Sequence, residues 1–365
     1  MAGSTFGKQF KITTWGESHG AGVGVVIDGC PAGLSLSSED IQLYLNRRKP
    51  GQSRFTTPRK EDDAVEILSG VFEGKTTGTP ISLVVYNCNQ KSKDYSEIAA
   101  CYSPGQADYT FDAKYGFRDY RGGGRSYGRE TIGRVAAGAV AAKILKELGI
   151  NLTAYTKSIG DISISTLDLA EIANNALYMP DADAAAKASA YLDTCMQEHD
   201  SSGGVIECII DGMPAGIGEP VFDKLDADLA KAIFSIGAVK GFEIGDGFLT
   251  SFAKGSENND AFFYDENGNV CKKTNHAGGI LGGMSDGAPI VLRAAVKPTP
   301  SIFKAQQTVN RSGENITLEI KGRHDPVIVP RAVVGVESMA ALVLVDALME
   351  NMSSSLEHMI EFYNS

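Results

Sequence analysis

Two arginine-rich segments stand out in a chain whose formal net charge is −11. The first runs from Arg47 to Arg54, and the second runs from Arg118 to Arg134 and interleaves arginine with glycine. A guanidinium group is planar and permanently charged, which suits it to phosphate and carboxylate groups. Glycine lets backbone amides approach an anion closely. Solvated loop arginines would give a similar composition, but the interleaving with glycine favours a pocket for a small anionic molecule.

Two loop segments carry residues that could move a proton. His19 lies in Gly16-Glu17-Ser18-His19-Gly20, directly before an apolar strand, so its imidazole can stand at the mouth of that strand as a titratable acid. Asp325 follows Arg323 and His324, and the adjacent arginine favours a carboxylate that acts as a base or hydrogen-bond acceptor. His276 lies in a third Gly-rich loop. It is either a structural histidine or a neighbour of a bound cofactor.

Composition excludes several classes of protein. The chain has 365 residues, of which 43% are hydrophobic and 22% charged, as is usual for a soluble globular protein. Its acidic balance argues against a general nucleic-acid binder. The six cysteines show no zinc-ligand spacing, and scattered reduced thiols are favoured over disulfides. No signal peptide or membrane span of about 20 apolar residues is recognisable, so we expect a cytoplasmic protein without a metal site.

Two segments of the sequence occur twice. Residues 25–33 return as 208–216, and residues 70–81 match 279–290. Both copies predict a strand, a helix, a Gly-turn hairpin and a long apolar helix. A weaker match pairs Arg129 with Arg331, each at the start of that long helix. Convergent turn chemistry is the alternative, because Asp-Gly and Gly-x-Pro are common in turns.

The duplication predicts the domain organisation. We expect one domain over 1–365, with repeated halves at about 8–150 and 200–350 and a helical insert at 168–200. One helix of the insert should span 169–177, and the next should begin at 180–181. Residues 258–275 are polar and indicate an exposed or mobile loop, with a lid over the site as a further alternative. The apolar helices predict an α+β fold, a pseudo-symmetric layered sandwich with central long helices between antiparallel β-sheets.

The order of the motifs is similar to that of one enzyme family. Gly16–Gly20, Arg121–Ser126 and Gly322–Pro326, together with 241–247, 275–283 and 297–301, make the sequence resemble chorismate synthases nearly from end to end. The resemblance implies that family's fold and its reaction, the last step of the shikimate pathway. In it, 5-enolpyruvylshikimate 3-phosphate loses phosphate and the C6 hydrogen in a 1,4-anti elimination that gives chorismate. Reduced FMN is needed although there is no net redox change.

The same resemblance implies roles for particular residues. His19 matches a proton donor near the leaving phosphate, and Asp325 matches an aspartate that helps the flavin N5 take the C6 hydrogen. The positions that match substrate-binding residues are Ser18, Arg48, Arg54, Arg129 and Arg134. Those that match flavin-binding residues are Arg125, Ser126, Tyr127, Gly237, Ala238, Gly282, Lys297, Pro298, Thr299, Pro300, Ser301 and Arg323.

Two positions depart from the family pattern. Gln106 replaces the usual second catalytic histidine, and glutamine can hydrogen-bond but cannot exchange a proton near neutral pH. Tyr127-Gly128 stands where Ser-Ala is usual. A catalytically impaired flavin- or phosphometabolite-binding relic is therefore the alternative function. The sequence shows no nicotinamide motif, which favours an external flavin reductase over a built-in one. A homotetramer is expected from the resemblance alone.

Overall fold

The computed structural model describes residues 3–56, 61–88, 98–121, 123–320 and 325–365. In the first part of the chain the elements are β1 (Thr5–Phe6), β2 (Lys11–Gly16), β3 (Gly22–Asp28), α1 (Ser38–Arg48), β4 (Val65–Ile67), β5 (Val71–Phe72), β6 (Lys75–Thr76), β7 (Ile81–Tyr86), α2 (Asp108–Tyr115) and α3 (Thr131–Glu147). Next come β8 (Asn151–Ile159), β9 (Ile162–Ser163), α4 (Ala182–Gln197), β10 (Gly204–Asp211), α5 (Leu225–Phe234), β11 (Val239–Ile244) and α6 (Gly255–Asn258). The chain continues with β12 (Phe262–Tyr264), β13 (Val270–Lys272), β14 (Ile280–Leu281), β15 (Met284–Ser285), β16 (Ile290–Val296), β17 (Gln306–Val309), β18 (Asn315–Leu318), α7 (Val329–Asn351) and α8 (Leu356–Asn364).

Two five-stranded antiparallel sheets dominate the described structure. The first has the order β1-β2-β3-β7-β4, and the second has the order β11-β16-β10-β8-β9. The two copies of the repeated apolar segment form strands β3 and β10, and each strand lies inside its sheet between two neighbouring strands. The repeated Gly-turn words form the short hairpins β5–β6 and β14–β15. The α+β class predicted from the sequence is confirmed.

The long apolar helices α3 and α7 pack against each other. At their crossing Gly138 lies so close to Ser338 that an added Cβ would stand 2.2 Å from the serine Cβ. Helix α3 also contacts β3, and α7 contacts β8 and β10. Helix α7 is long and apolar enough to cross a membrane, but 78% of its most apolar window is buried inside the protein. Burial on most faces explains why both helices are apolar nearly all round.

Two local predictions were right only in part. In the insert, the helix predicted for 169–177 is a 3-10 helix that ends at 174, because the Asn175 side chain bonds backbone groups on both sides and turns the chain. The next helix begins as predicted, since Asp181 caps α4 by accepting from the Ala184 amide. Residues 258–275 are exposed but ordered into the β12–β13 hairpin, because Asp265 holds a tight turn through Asn267 and Asn269.

Candidate active site

His19 lies in the hairpin loop between β2 and β3. The side chain is 6% exposed, and its Nδ1 is 2.7 Å from the hydroxyl of buried Ser18. Asn87, just after β7, donates to the carbonyls of Glu17 and Gly20 at 3.0 and 2.8 Å. Asn87, at the end of β7 in the first sheet, therefore holds both sides of the loop that carries the His19 imidazole.

Arg48 and Arg129 share one buried carboxylate. Asp63 accepts from Arg48 Nη1 at 2.7 Å with one oxygen and from Arg129 Nη1 at 2.6 Å with the other. All three residues are less than 5% exposed, and Arg129 also pairs with Glu61. Burial lowers the pKa of Arg48 to about 10, and the charge of Asp63 opposes the shift. The Arg48 guanidinium therefore stays charged near neutral pH.

Asp325 reaches this ion-pair group through an arginine of α7. Arg331 Nη1 donates to Asp325 Oδ2 at 2.7 Å, and Arg331 Nε donates to the backbone carbonyl of Arg48 at 3.0 Å. At the other end of this chain of contacts, Arg129 Nε donates to Asn87 Oδ1 at 2.6 Å, and Asn87 holds the His19 loop. We call this chain of contacts the arginine–aspartate network, which comprises Asn87, Arg129, Asp63, Arg48, Arg331 and Asp325.

A second polar group surrounds the start of α3. Arg125 donates to the carbonyls of Gly16 and Thr14 at 3.1 Å and to the Thr14 hydroxyl at 2.7 Å. Glu130 accepts from Thr14 and from Arg134 Nε, the latter at 2.9 Å. Ser126 ends the first of two short 3-10 turns before α3, and the partly exposed Tyr127 lies between the two turns. Because Arg129 belongs to the same turns, this group adjoins the network.

The third group joins Gln106 to the segment after β16. Gln106 Nε2 donates to Ser301 Oγ at 2.8 Å, and Lys297 Nζ donates to the Gly105 carbonyl at 2.7 Å. Burial lowers the pKa of Lys297, and the charge of Lys240 adds to the shift. Pro300 packs so closely on Gly105 that a Cβ there would be 2.9 Å from the proline.

This third group, which we name the Gln106 cluster, comprises Gly105, Gln106 and 297–301. Ala238, beside Gly237, accepts from the backbone amide of Lys297 at 2.9 Å. Ser201 Oγ donates to the carbonyl of Thr299 at 2.7 Å, and the next amide, of Ser202, donates to Pro326 at 2.9 Å. The Gln106 cluster is therefore linked through two consecutive serines to the residue that follows Asp325.

Three sequence-predicted residues lie outside these groups. Arg54 is on the surface, where its guanidinium binds Asp193 at 2.7 Å with 63% of the side chain exposed. Gly282 occupies the turn of the β14–β15 hairpin with a φ of +60°. The described contacts connect neither residue to the network. Arg323 lies outside the described residues. Among the described residues, Asp325 pairs with Arg331.

Sequence reasoning missed four residues that hold the site together. Asp63, Glu61 and Asn87 lie in segments without a motif, and only the folded sheet brings them to Arg129. Arg331 had a signal in the sequence, since it matches Arg129 in the weaker repeat.

His276 is held in its loop by two aspartates. Its backbone amide donates to Asp260 at 2.8 Å, and its Nδ1 lies 2.6 Å from Asp246 Oδ2. These contacts account for its place in the loop, and its role stays a prediction.

The arrangement of these side chains defines a class of protein. Buried arginines beside a histidine and an aspartate, at the mouth of a sheet and along a loop, are typical of an enzyme that acts on a small anionic substrate.

Known proteins narrow this class to one family. The chorismate synthase family model matches residues 10–349. A chorismate synthase of Agathobacter rectalis is 67% identical over 365 residues, which cover 100% of this chain and 99% of that protein. One of Gloeothece citriformis is 55% identical over 354 residues, covering 96% and 98%. A crystal structure of a chorismate synthase superposes with a TM-score of 0.76 at 31% identity, covering 98% of this chain and 97% of that one. The chain therefore belongs to the chorismate synthase family, and it is a lyase.

Proposed function

We propose that the chain converts 5-enolpyruvylshikimate 3-phosphate to chorismate, in a site built from the network, the start of α3 and the Gln106 cluster. The observation that carries this proposal is the continuous series of contacts between the His19 loop and Asp325. The elimination needs a proton for the departing phosphate and a group that helps remove hydrogen from C6. One connected site offers a candidate for each.

His19 is the proposed proton donor to the leaving phosphate, with Ser18 fixing the ring through Nδ1. In our proposal the other ring nitrogen, Nε2, is the atom that faces the substrate. The substrate's carboxylates and phosphate need cationic partners. Arg129 Nη2 makes no hydrogen bond among the described residues and is a donor that substrate binding would use, while Nη1 keeps its bond to Asp63. Arg48 and Arg134 are the further proposed partners, and Arg54 would have to leave Asp193 to join them.

The residues of the Gln106 cluster fit a flavin. Thr299 Oγ1 is a buried hydroxyl without a hydrogen-bond partner in the described structure, as expected where a polar ligand completes the site. Lys297 offers a cation, and Ala238, at a φ of +73°, turns the backbone beside it. We propose that this cluster, together with Arg125, Ser126 and Tyr127, would hold reduced FMN. The bound flavin would lend an electron as phosphate leaves and recover it when C6 loses its hydrogen, so that no net redox change results. Asp325 would then assist hydrogen removal from C6 as a hydrogen-bond acceptor.

Gln106 keeps a hydrogen-bonding role in this proposal. Its amide already bonds Ser301, whereas a histidine would add a group that exchanges protons near neutral pH. We expect Gln106→His to retain or raise turnover. A large loss of turnover in that variant would contradict this role.

The domain organisation is also part of the proposal. We propose one domain of two duplicated halves, because β2-β3-β7-β4 in one sheet has the same arrangement as β8-β10-β16-β11 in the other. The contacts of α3 and α7 with each other and with the sheets support central helices in a layered sandwich. A cytoplasmic homotetramer is proposed from family membership, and light scattering of the purified protein tests its mass.

An anaerobic assay tests the activity. Chemically reduced FMN and 5-enolpyruvylshikimate 3-phosphate are mixed with the protein, and chorismate absorbance and released phosphate are recorded. We expect both products in equal amounts. Flavin binding without product would instead show the relic. Oxidised FMN with NADPH should give no product without an added flavin reductase, and product under those conditions would show a built-in reductase activity.

A further inference from the structure

Arg331 joins two parts of the site through one side chain. Its Nη1 holds Asp325 at 2.7 Å, and its Nε holds the Arg48 carbonyl at 3.0 Å. The side chain is 17% exposed, and it borders a cavity of about 330 Å³ that Ser53, Thr56 and Tyr178 also line. Arg331 therefore stands between solvent-accessible space and the carboxylate proposed to act on the substrate.

The two bonds have a geometric consequence. Arg48 is the last residue of α1, where the final carbonyls have no partner within the helix. Arg331 satisfies one of them from the first turn of α7. The guanidinium fork is rigid and planar, so its two donors fix the Arg48 backbone and the Asp325 carboxylate relative to each other. The Arg48 side chain then continues to Asp63 and Thr131.

The proposed repeat supports a matched role in the two halves. Arg129 stands just before α3 and binds Asp63, while Arg331 stands in the first turn of α7 and binds Asp325. Each long helix thus begins with an arginine that holds a carboxylate of the site. Asp63 is enclosed between two arginines, whereas Arg331 and Asp325 are 17% and 13% exposed. The carboxylate of the second half is the more accessible one.

We propose that Arg331 is a positioning residue for hydrogen removal from C6, acting through Asp325. It sets the orientation of that carboxylate relative to the end of α1, from which Arg48 reaches the site. The inference rests on the proposed function, because it takes Asp325 to act in that step.

A double-variant series tests the inference. Arg331→Met, Asp325→Asn and the double variant are assayed anaerobically with reduced FMN, using substrate with hydrogen or deuterium at C6. We expect Arg331→Met to lower kcat roughly 10- to 100-fold, as for loss of a charge-assisted bond to a reacting group, with KM changed less than about threefold. The isotope effect on kcat should rise, because hydrogen removal becomes more rate-limiting. The double variant should be no slower than Asp325→Asn, because both changes affect one step.

Two further variants separate positioning from folding. Arg331→Lys keeps the charge but replaces the fork with a single ammonium, so it should recover only part of kcat while folding normally. Arg47→Met is the matched control, because Arg47 also ties α1 to α7, through a bidentate pair with Glu337. It should lower thermal stability and leave the isotope effect unchanged.

The results that overturn the inference are distinct from those that overturn the proposed function. Three results would show that Arg331 is only a structural residue. The losses of kcat could multiply in the double variant, or the isotope effect could stay unchanged in both Arg331→Met and Arg331→Lys. The third is an equal change of the isotope effect in Arg47→Met. If Arg331→Met does not fold, Arg331→Lys carries the test through its isotope effect. If Asp325→Asn retains the kcat and isotope effect of the unaltered chain, the proposed role of Asp325 itself fails.

Discussion

Arg129 donates to Asn87 at 2.6 Å, and the amide of Asn87 in turn holds both sides of the His19 loop. One side chain thus sets the position of the proposed proton donor relative to an arginine proposed to bind the substrate. The bond also explains why a polar residue follows the apolar strand β7.

Asn87→Ala should misplace His19. The variant loses the bond to Arg129 and two bonds to loop carbonyls, so we expect kcat to fall roughly tenfold or more. Turnover in the anaerobic assay checks this. Asn269→Ala, which loses a bond in the exposed β12–β13 turn, is the control and should keep full turnover. Equal turnover in the two variants would refute the role given to Asn87.

Asp63→Asn should destabilise the fold. Asparagine keeps the shape and tolerates the left-handed backbone at this position, where φ is +47°, but it removes the charge between two buried guanidinium groups. Breaking a buried ion pair in this way costs about 3–5 kcal/mol in free energy of unfolding. Urea unfolding provides the measurement. Asp193→Asn removes the exposed partner of Arg54 and should cost less than about 1 kcal/mol. A loss for Asp63→Asn as small as that of the control would contradict the buried pairing.

The crossing of α3 and α7 can be tested with a single methyl group. Gly138→Ala would place a Cβ 2.2 Å from the Ser338 Cβ and 2.6 Å from its Cα, and such overpacking costs about 1–3 kcal/mol or more. Gly335→Ala, in α7, meets no atom within 4 Å and should gain up to about 1 kcal/mol from helix propensity. Thermal unfolding of both variants decides the point. Similar shifts at the two positions would mean that the helices do not cross at Gly138.

Glu207 should make stability fall in acid. It lies in a cross-strand row between Tyr155 and Arg293 in the second sheet. Burial alone would raise the pKa of Glu207, but hydrogen bonds from Lys157, Tyr155 and Arg293 outweigh it, and the pKa is lowered from its ordinary value of 4.5. The stabilisation is therefore complete above the unfolded-state pKa and is lost as pH falls through the lower folded-state pKa.

Glu207→Gln removes this titrating group. We expect the urea midpoint of the variant to change less than that of the unaltered chain between pH 7 and pH 3. A steeper acid dependence in the variant would show that Glu207 is not held ionised by its neighbours.

Local patterns in the sequence predicted the repeated strands, the Gly-turn hairpins and the long helices. The words at 25–33 and 208–216 correctly indicated β3 and β10, because apolar runs ending in Asp-Gly are typical of strands that enter turns. Helix α1 follows the first repeated segment as the repeat predicted, and the structure shows that the Ser37 side chain caps it. The turn at Asn175 was missed, since it depends on side-chain bonds to backbone groups that composition does not reveal.

Sequence motifs supplied the candidate residues His19, Arg129 and Gln106, and their roles stay predictions. The residues that only the fold brings to them were missed. Asp63 and Asn87 do not, because their partners are far away in the sequence and meet them only after the first sheet forms. Arg54 was expected among the substrate residues, yet its partner Asp193 comes from the helical insert, in which the sequence showed no chemistry.

The most direct test of the account is a crystal structure of the protein with 5-enolpyruvylshikimate 3-phosphate and FMN bound. We predict a phosphate oxygen of the substrate within hydrogen-bond distance, about 3 Å, of His19. The flavin should contact the Gln106 cluster, and Asp325 should lie beside both ligands while keeping its bond to Arg331. Substrate bound away from His19, or flavin bound away from both Asp325 and 297–301, would contradict the site described above.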